Sequence, residues 1–247
     1  MRRAACERSI DHPLGEAFFT DALPSVWVLN ILAVDADADA DAEGLTAALD
    51  ELYGHLAHRR AFVERPELGA RLAPAMRAAG WQVEHDVFLV LRRERDRPAA
   101  PGLAREVDEP AVRAVEARTI AQQPTRDPDV VGQLLASRSA FGRAGGARYF
   151  VGAADGVDAS HATLYSDGVI AQIEDVATLE GFRGRGLARA VCSAAIDAAL
   201  EAGHELVFIV ADDDDWPKEL YAKLGFDAVG KPWNFTRPPA GQPDPRS

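Results

Sequence analysis

The sequence predicts a mixed α/β (α+β) protein built from two similar halves, each a sheet flanked by helices. Three observations carry this. The 247 residues are 47% hydrophobic, enough for a sizeable core and too many for global disorder. Helix-like and strand-like periods alternate along the chain. The order strand, loop, helix, strand, helix, Gly-aromatic, strand occurs twice, with Leu45 to Gly80 spanning nearly the same length as Leu187 to Gly225. That pattern points to a diverged internal duplication.

In the first half, V-W-V-L-N-I-L-A-V (26–34) is apolar enough for a buried strand. D-A-D-A-D-A-D-A-E-G (35–44) follows as a loop. Leu45, Ala48, Leu49, Leu52 and Leu56 then recur at helical spacing. R-R-A-F-V-E reads as a short strand. A helix over 67–79 contains Pro74, which predicts a kink, and Gly80 stops it. W-Q-V-E-H-D-V-F-L-V-L closes the half as a strand.

R-E-R-D-R-P-A-A-P-G (93–102) breaks the periodicity with charge, proline and glycine. It divides the chain into residues 1–95, a linker over 96–102, a second half over 103–237, and a disordered tail over 238–247. The second half opens with helices near 109–119 and 127–143, with Asp127 as N-cap and Pro128 in the first turn. Three strands follow, A-R-Y-F-V-G-A-A, S-H-A-T-L-Y and V-I-A-Q-I-E-D-V-A-T-L. After a loop, Leu187 to Leu200 is a strong helix. E-L-V-F-I-V-A is a buried strand, D-D-D-D-W-P leads a helix that Gly225 ends, and F-D-A-V-G starts another strand.

The formal charge is -12. A field of that sign repels nucleic acid and anionic membrane, so neither is an expected partner and any anion site must be local. Cys6 and Cys192 lie far apart, with no CxxC pair, so neither a disulfide framework nor a cysteine metal site is expected. The first residues lack an apolar signal core, and no apolar run reaches membrane-spanning length. The expectation is a soluble protein of the reducing cytoplasm, without metal.

The local anion site is E-G-F-R-G-R-G-L-A-R (180–189). It has no lysine for a P-loop. A dinucleotide fingerprint needs a small third residue where Arg189 stands. It is one isolated basic cluster in an acidic chain, unlike a nucleic-acid surface. A helix N-terminus that receives a pyrophosphate remains: the glycines let backbone approach the anion, and first-turn N–H groups face it.

At this point the chain resembles a family. R-G-R-G-L-A (183–188) is similar to the R/Q-x-x-G-x-G/A motif of the GNAT superfamily of acetyl-CoA-dependent N-acetyltransferases. I-E-D-V-A-T-L before it resembles that family's fourth strand. L-Y-A-K-L-G-F (220–226) resembles its later helix end. The resemblance covers about residues 103–236. It implies a mixed sheet whose central strands splay to admit the pantetheine arm of acetyl-CoA. It further implies that backbone N–H groups of Arg183, Gly184, Arg185, Gly186, Leu187 and Ala188 cradle the pyrophosphate. Val176, Ala177 and Thr178 would line the arm, one amide holding the acetyl oxygen. Tyr221 stands where the family often keeps the acid that protonates the leaving thiolate.

For the base, Glu174 is preferred over Asp175, because neighbouring strand residues face opposite sides. Gln172 is another version of that position, and a water relay is a further route. The family's asparagine seven residues before the tyrosine is Asp214 here, a departure that puts this cofactor contact in doubt. His161 and His204 read as surface or core-edge residues, and Cys192 as a packed one. The implied reaction moves acetyl to a primary amine, small-molecule or peptide, by direct attack in a ternary complex. The rival is a weakly catalytic acyl-CoA-binding module. In the first half, carboxylates occupy the place of the arginine-glycine loop, so it reads as a degenerate GNAT-like repeat without a cofactor site. Its open roles are completing the sheet, covering the substrate site, or forming a homodimer.

Overall fold

The computed structural model describes residues 2–122 and 127–239. Its elements in order are α1 (Arg2–Ala5), β1 (Arg8–His12), β2 (Gly15–Phe19), β3 (Ile31–Val34), α2 (Ala42–Tyr53), β4 (Arg59–Val63), α3 (Pro66–Ala78) and β5 (Gln82–Leu91). Then come β6 (Ala104–Val107), α4 (Glu109–Ala121), α5 (Pro128–Ala144), β7 (Gly146–Ala154), β8 (Val157–Ser166), β9 (Ile170–Thr178), α6 (Leu187–Glu201), β10 (Leu206–Asp212), α7 (Pro217–Lys223), β11 (Phe226–Gly230) and β12 (Trp233–Arg237).

Two compact units result, and neither follows the 96–102 boundary. The first holds Arg2–Val87, Asp212–Asp214 and the chain from Gly230 onward; the second holds Phe88–Ala211 and Asp215–Val229. Trp233–Arg237, expected to end the second half, instead forms a strand of the first unit. The reason is apolar: Phe235 is fully buried there and Trp233 is 9% exposed.

In the first unit the strands run β1-β2-β3-β4-β12-β5. β3 and β4 are parallel and joined through α2; β12 is antiparallel to both β4 and β5. Leu45, Leu49 and Tyr53 of α2 meet Leu68, Leu72 and Met76 of α3 in one core with Trp81, Trp233 and Phe235. α3 passes so close to β12 that a Cβ on Gly69 would collide with the Trp233 ring. Pro74 sits inside α3 without ending it, and Gly80 follows with φ +81°.

The expected strand over 26–34 is shorter. Trp27–Leu29 is a 3-10 turn and only Ile31–Val34 pairs. Buried Asn30 decides this. Its side chain accepts from Thr20 N and donates to the carbonyls of Leu23 and Val26, which suits a turn rather than a ladder. The same turn buries His58. Its ring stacks on Trp27, its Nε2 lies 3.3 Å from Asn30 O, and burial lowers its pKa to about 4. The folded chain thus favours neutral His58. That stability is complete above about pH 6.5 and is lost as pH falls toward 4, by about 3 kcal/mol. Urea unfolding at pH 7 and pH 4 should show a smaller acid loss for His58→Gln; an equal loss would refute the assignment.

In the second unit, β6, β7, β8 and β9 are antiparallel, β9 and β10 parallel, and the end of β5 lies beside β10. Thr119 of α4 reaches His161, whereas Val191 of α6 lies over Gly152 on the face that Ser160 also presents. Neighbouring residues 160 and 161 face opposite sides of β8, so α4 and α6 cover opposite faces. The 93–102 segment is tied down: Asp96 N donates to Lys223 O, and Asp96 pairs with Arg189. Arg237 ends β12 and lies over Trp81. Positions 240–247 of the expected tail lie outside the described residues. Among the described residues no helix is long and apolar enough to cross a membrane, and no three His, Cys, Asp or Glu side chains gather as a metal site.

Candidate active site

β9 and β10 separate partway along β9. Their ladder runs from Leu206↔Ile170 to Ile209↔Ile173 and stops, although β9 continues to Thr178. The backbone of Glu174–Thr178 therefore has an edge not paired to β10. Its other edge is held by β8: Ala177 pairs with His161, and Ser160 Oγ donates to Ala177 O at 2.8 Å.

Past Thr178, Leu179 N donates to Ala159 O, and Leu179, Phe182 and Leu187 pack around Ala159 and Val157. This apolar anchor fixes both ends of the loop. Between them Gly184 and Gly186 adopt φ +75° and +80°, left-handed values that ordinary side chains resist. Gly186 is the N-cap of α6 and no side chain caps that end, so the first-turn N–H groups lack intrahelical acceptors. A Cβ at either glycine would meet nothing within 4 Å, leaving room for a ligand to approach the backbone. These features fit an anion such as the coenzyme A pyrophosphate.

The arginines divide their work. Arg189 is 8% exposed and its Nη1 bonds Asp96 Oδ1 at 2.7 Å, so it is a structural group and not a phosphate ligand. Arg185 pairs with Asp155 at 2.5 Å and lies over the Phe182 ring. Arg183 is exposed and, among the described residues, makes no ion pair. The corresponding end of α2 in the first unit is closed differently: Asp41 caps it, its Oδ1 accepting from Gly44 N at 2.7 Å. The adjoining cleft, about 710 Å³, is lined by Asp39, Asp41, Glu51 and Arg71.

Tyr221 of α7 is buried. Desolvation, then the neighbouring Cys192, Glu174 and Asp215, push its pKa well above the usual tyrosine range, so it keeps its proton. Cys192 is 1% exposed and burial pushes its thiol up to about 12. Glu174 lies opposite Thr163 and accepts a hydrogen bond from Gln172 Nε2. Asp214 falls in the first unit, where its N–H donates to Asp212 Oδ1 at 2.8 Å.

Strict alternation fails at Glu174 and Asp175. The β8–β9 register shifts there, and Asp175 has φ +57°. Its carboxylate meets Arg138 Nε at 3.0 Å and the Tyr165 hydroxyl at 3.0 Å. Sequence reading missed these partners, because α5, which brings Arg138, and β8, which brings Tyr165, carry no motif. Behind them Glu116 is fully buried between Arg113 and Arg138; desolvation raises its pKa, with Arg138 opposing. His161 also lies here, fully buried and not at the core edge. Its Nε2 is 2.9 Å from Thr119 Oγ1, and desolvation, with Arg138 and Arg113, holds it neutral. His204 bonds Ser166 and Ala199 O at the α6–β10 turn.

Residues 111–226 match the model of the acetyltransferase (GNAT) family. No curated protein matches the sequence. A conserved protein of unknown function from Staphylococcus epidermidis ATCC 12228 covers 92% of this chain and 92% of its own, with a TM-score of 0.72 and 12% identity. A GCN5-related N-acetyltransferase from Kribbella flavida covers 96% of this chain and 92% of its own, with a TM-score of 0.62 and 17% identity. A tandem GNAT protein from the clavulanic acid biosynthesis pathway covers 82% and 69%, with a TM-score of 0.53 and 17% identity. The likeness in fold takes in the N-terminal half, where β3-α2-β4-α3-β5 repeats the order β9-α6-β10-α7-β11. Residues 111–226 of this chain are an acetyltransferase domain of the GNAT family, and the N-terminal half is GNAT-like in fold.

Proposed function

We propose that this chain transfers acetyl from acetyl-CoA to a primary amine by direct attack in a ternary complex. The observation that carries the reading is the parting of β9 from β10 beside the uncapped, glycine-fronted start of α6. Backbone N–H groups of Arg183–Ala188 would hold the pyrophosphate, with Arg183 adding charge. Val176, Ala177 and Thr178 would line the arm, and an amide there would face the oxygen that gains charge during attack. Acetyl-CoA supplies the activated acyl group. Glu174 is the base we assign to the amine, and Tyr221, proton-bearing, the acid for the leaving thiolate. Buried Cys192 makes an acetyl-cysteine route unfavourable. The net charge of -12 favours a cationic acceptor.

The test is thiol release from acetyl-CoA against a panel of amines. We expect turnover with intersecting double-reciprocal lines. Titration calorimetry should give one acetyl-CoA per chain, because Asp41 already caps the corresponding end of α2. Binding without turnover on any amine would convert the reading to an acyl-CoA-binding module; no binding would end it.

A further inference from the structure

The two adjacent carboxylates of β9 have different surroundings. Ala177 pairs with His161 and Glu174 with Thr163, so Asp175 and Val176 together oppose Ala162 alone. That is a β-bulge, which kinks a strand and leaves one residue out of the ladder. Apart from glycine, only Asp155 and Asp175 among the described residues have positive φ. Asp155 precedes Gly156 in the turn from β7 to β8, where such backbone is ordinary. Asp175 lies within a strand. A left-handed residue there persists only if its surroundings hold it.

They do so from two sides. Arg138 Nε of α5 reaches Oδ1 at 3.0 Å, and Tyr165 of β8 donates to Oδ2 at 3.0 Å. Burial, reinforced by Asp175 itself, keeps the Tyr165 proton in place for this bond. Arg138 is anchored in turn, since its Nη1 lies 3.4 Å from the fully buried Glu116, which also binds Arg113. The residue after Asp175 is Val176, the first of the three whose backbone is assigned to the acetyl slot.

We propose that Asp175 is a positioning residue and not the base: its carboxylate, gripped by Arg138 and Tyr165, holds the bulge that presents the Val176 amide to the acetyl oxygen. Both oxygens are already engaged, Oδ1 by Arg138 and Oδ2 by Tyr165, so a carboxylate held in this way serves geometry better than proton transfer. The proton-accepting role is left to Glu174. This rests on the acetyltransferase reading above.

Three substitutions separate backbone from charge. Asp175→Asn keeps left-handed tolerance and the Tyr165 bond; kcat should fall no more than about threefold, with the pH profile unmoved. Asp175→Ala loses the grip and resists the conformation; kcat should fall about ten- to a hundredfold. Asp175→Gly loses the grip but accepts the backbone, and should lie between them. Calorimetry adds a readout free of turnover: wild type should prefer acetyl-CoA over CoA, and Asp175→Ala should lose that preference. Melting curves identify any variant that merely unfolds. The pH profile is read with Arg113, Arg138, Glu116, His161 and Tyr165 as the ionisable neighbours from α4, α5 and β8. If Asp175→Asn is as damaging as Asp175→Ala and abolishes the acid limb of the profile, Asp175 is the base and the proposal is wrong. A fully active Asp175→Ala also overturns it. A wild type that neither binds acetyl-CoA nor releases thiol defeats the acetyltransferase reading, and this proposal with it.

Discussion

Terminating the chain after Gly230 is expected to abolish cooperative folding of the first compact unit. The deletion removes β12, which pairs with β4 on one edge and β5 on the other. It withdraws Trp233 and Phe235 from the core that α2 and α3 cover. It also removes the bonds from Trp233 Nε1 to Pro66 O, from Arg60 to Asn234, and from Asn234 to Asp86. Truncating one such buried aromatic to alanine costs about 3–5 kcal/mol. Losing two, with both ladders, exceeds much of the roughly 5–15 kcal/mol that holds a domain together. The exposed edges of β4 and β5 would also invite aggregation. Far-UV circular dichroism melts and limited proteolysis of residues 1–230 check this. Full-length-like melting and protection of 2–87 would show that β12 is dispensable. The same pairing means that cutting at 96–102 separates no intact unit.

Tyr221→Phe should lower kcat by about 10²–10³ while leaving acetyl-CoA affinity and melting temperature nearly unchanged. The substitution removes one hydroxyl from a buried ring and keeps its packing, including the edge contact with Phe226, centroids 6.4 Å apart. Because burial and the nearby Cys192 and Glu174 raise the phenol pKa, Tyr221 stays protonated through the ordinary assay range. Wild-type kcat should therefore show no basic limb up to about pH 10 from this group. A Tyr221→Phe enzyme with wild-type kcat would assign the thiolate's proton to water. Loss of acetyl-CoA binding would make Tyr221 a binding residue instead.

Much of the candidate site was legible in the chain. The arginine-glycine loop is local: two glycines, an apolar residue on each side and a helix start lie within ten residues, so its shape is written in neighbouring residues. The helices over 109–121 and 128–144 carry their caps in sequence, and the helix over 187–201 its apolar period. The expected strand over 26–34 was cut short because the Asn30 amide finds partners in the turn before it. The hairpin β1–β2 went unread, since Arg8–His12 is largely exposed and its alternation faint.

The sequence by itself determined the composition of each element, the repeat, and the chemistry open to the arginine-glycine loop. Those properties depend on residues near one another in the chain. Tertiary structure decided three things: that Trp233–Arg237 completes the first unit, that Arg189 belongs to Asp96, and that Asp175 is gripped by Arg138 and Tyr165. Each joins residues 10 to 178 positions apart. Such pairings follow from burial and from charges that must be paired once desolvated, and neither condition exists until the chain has packed.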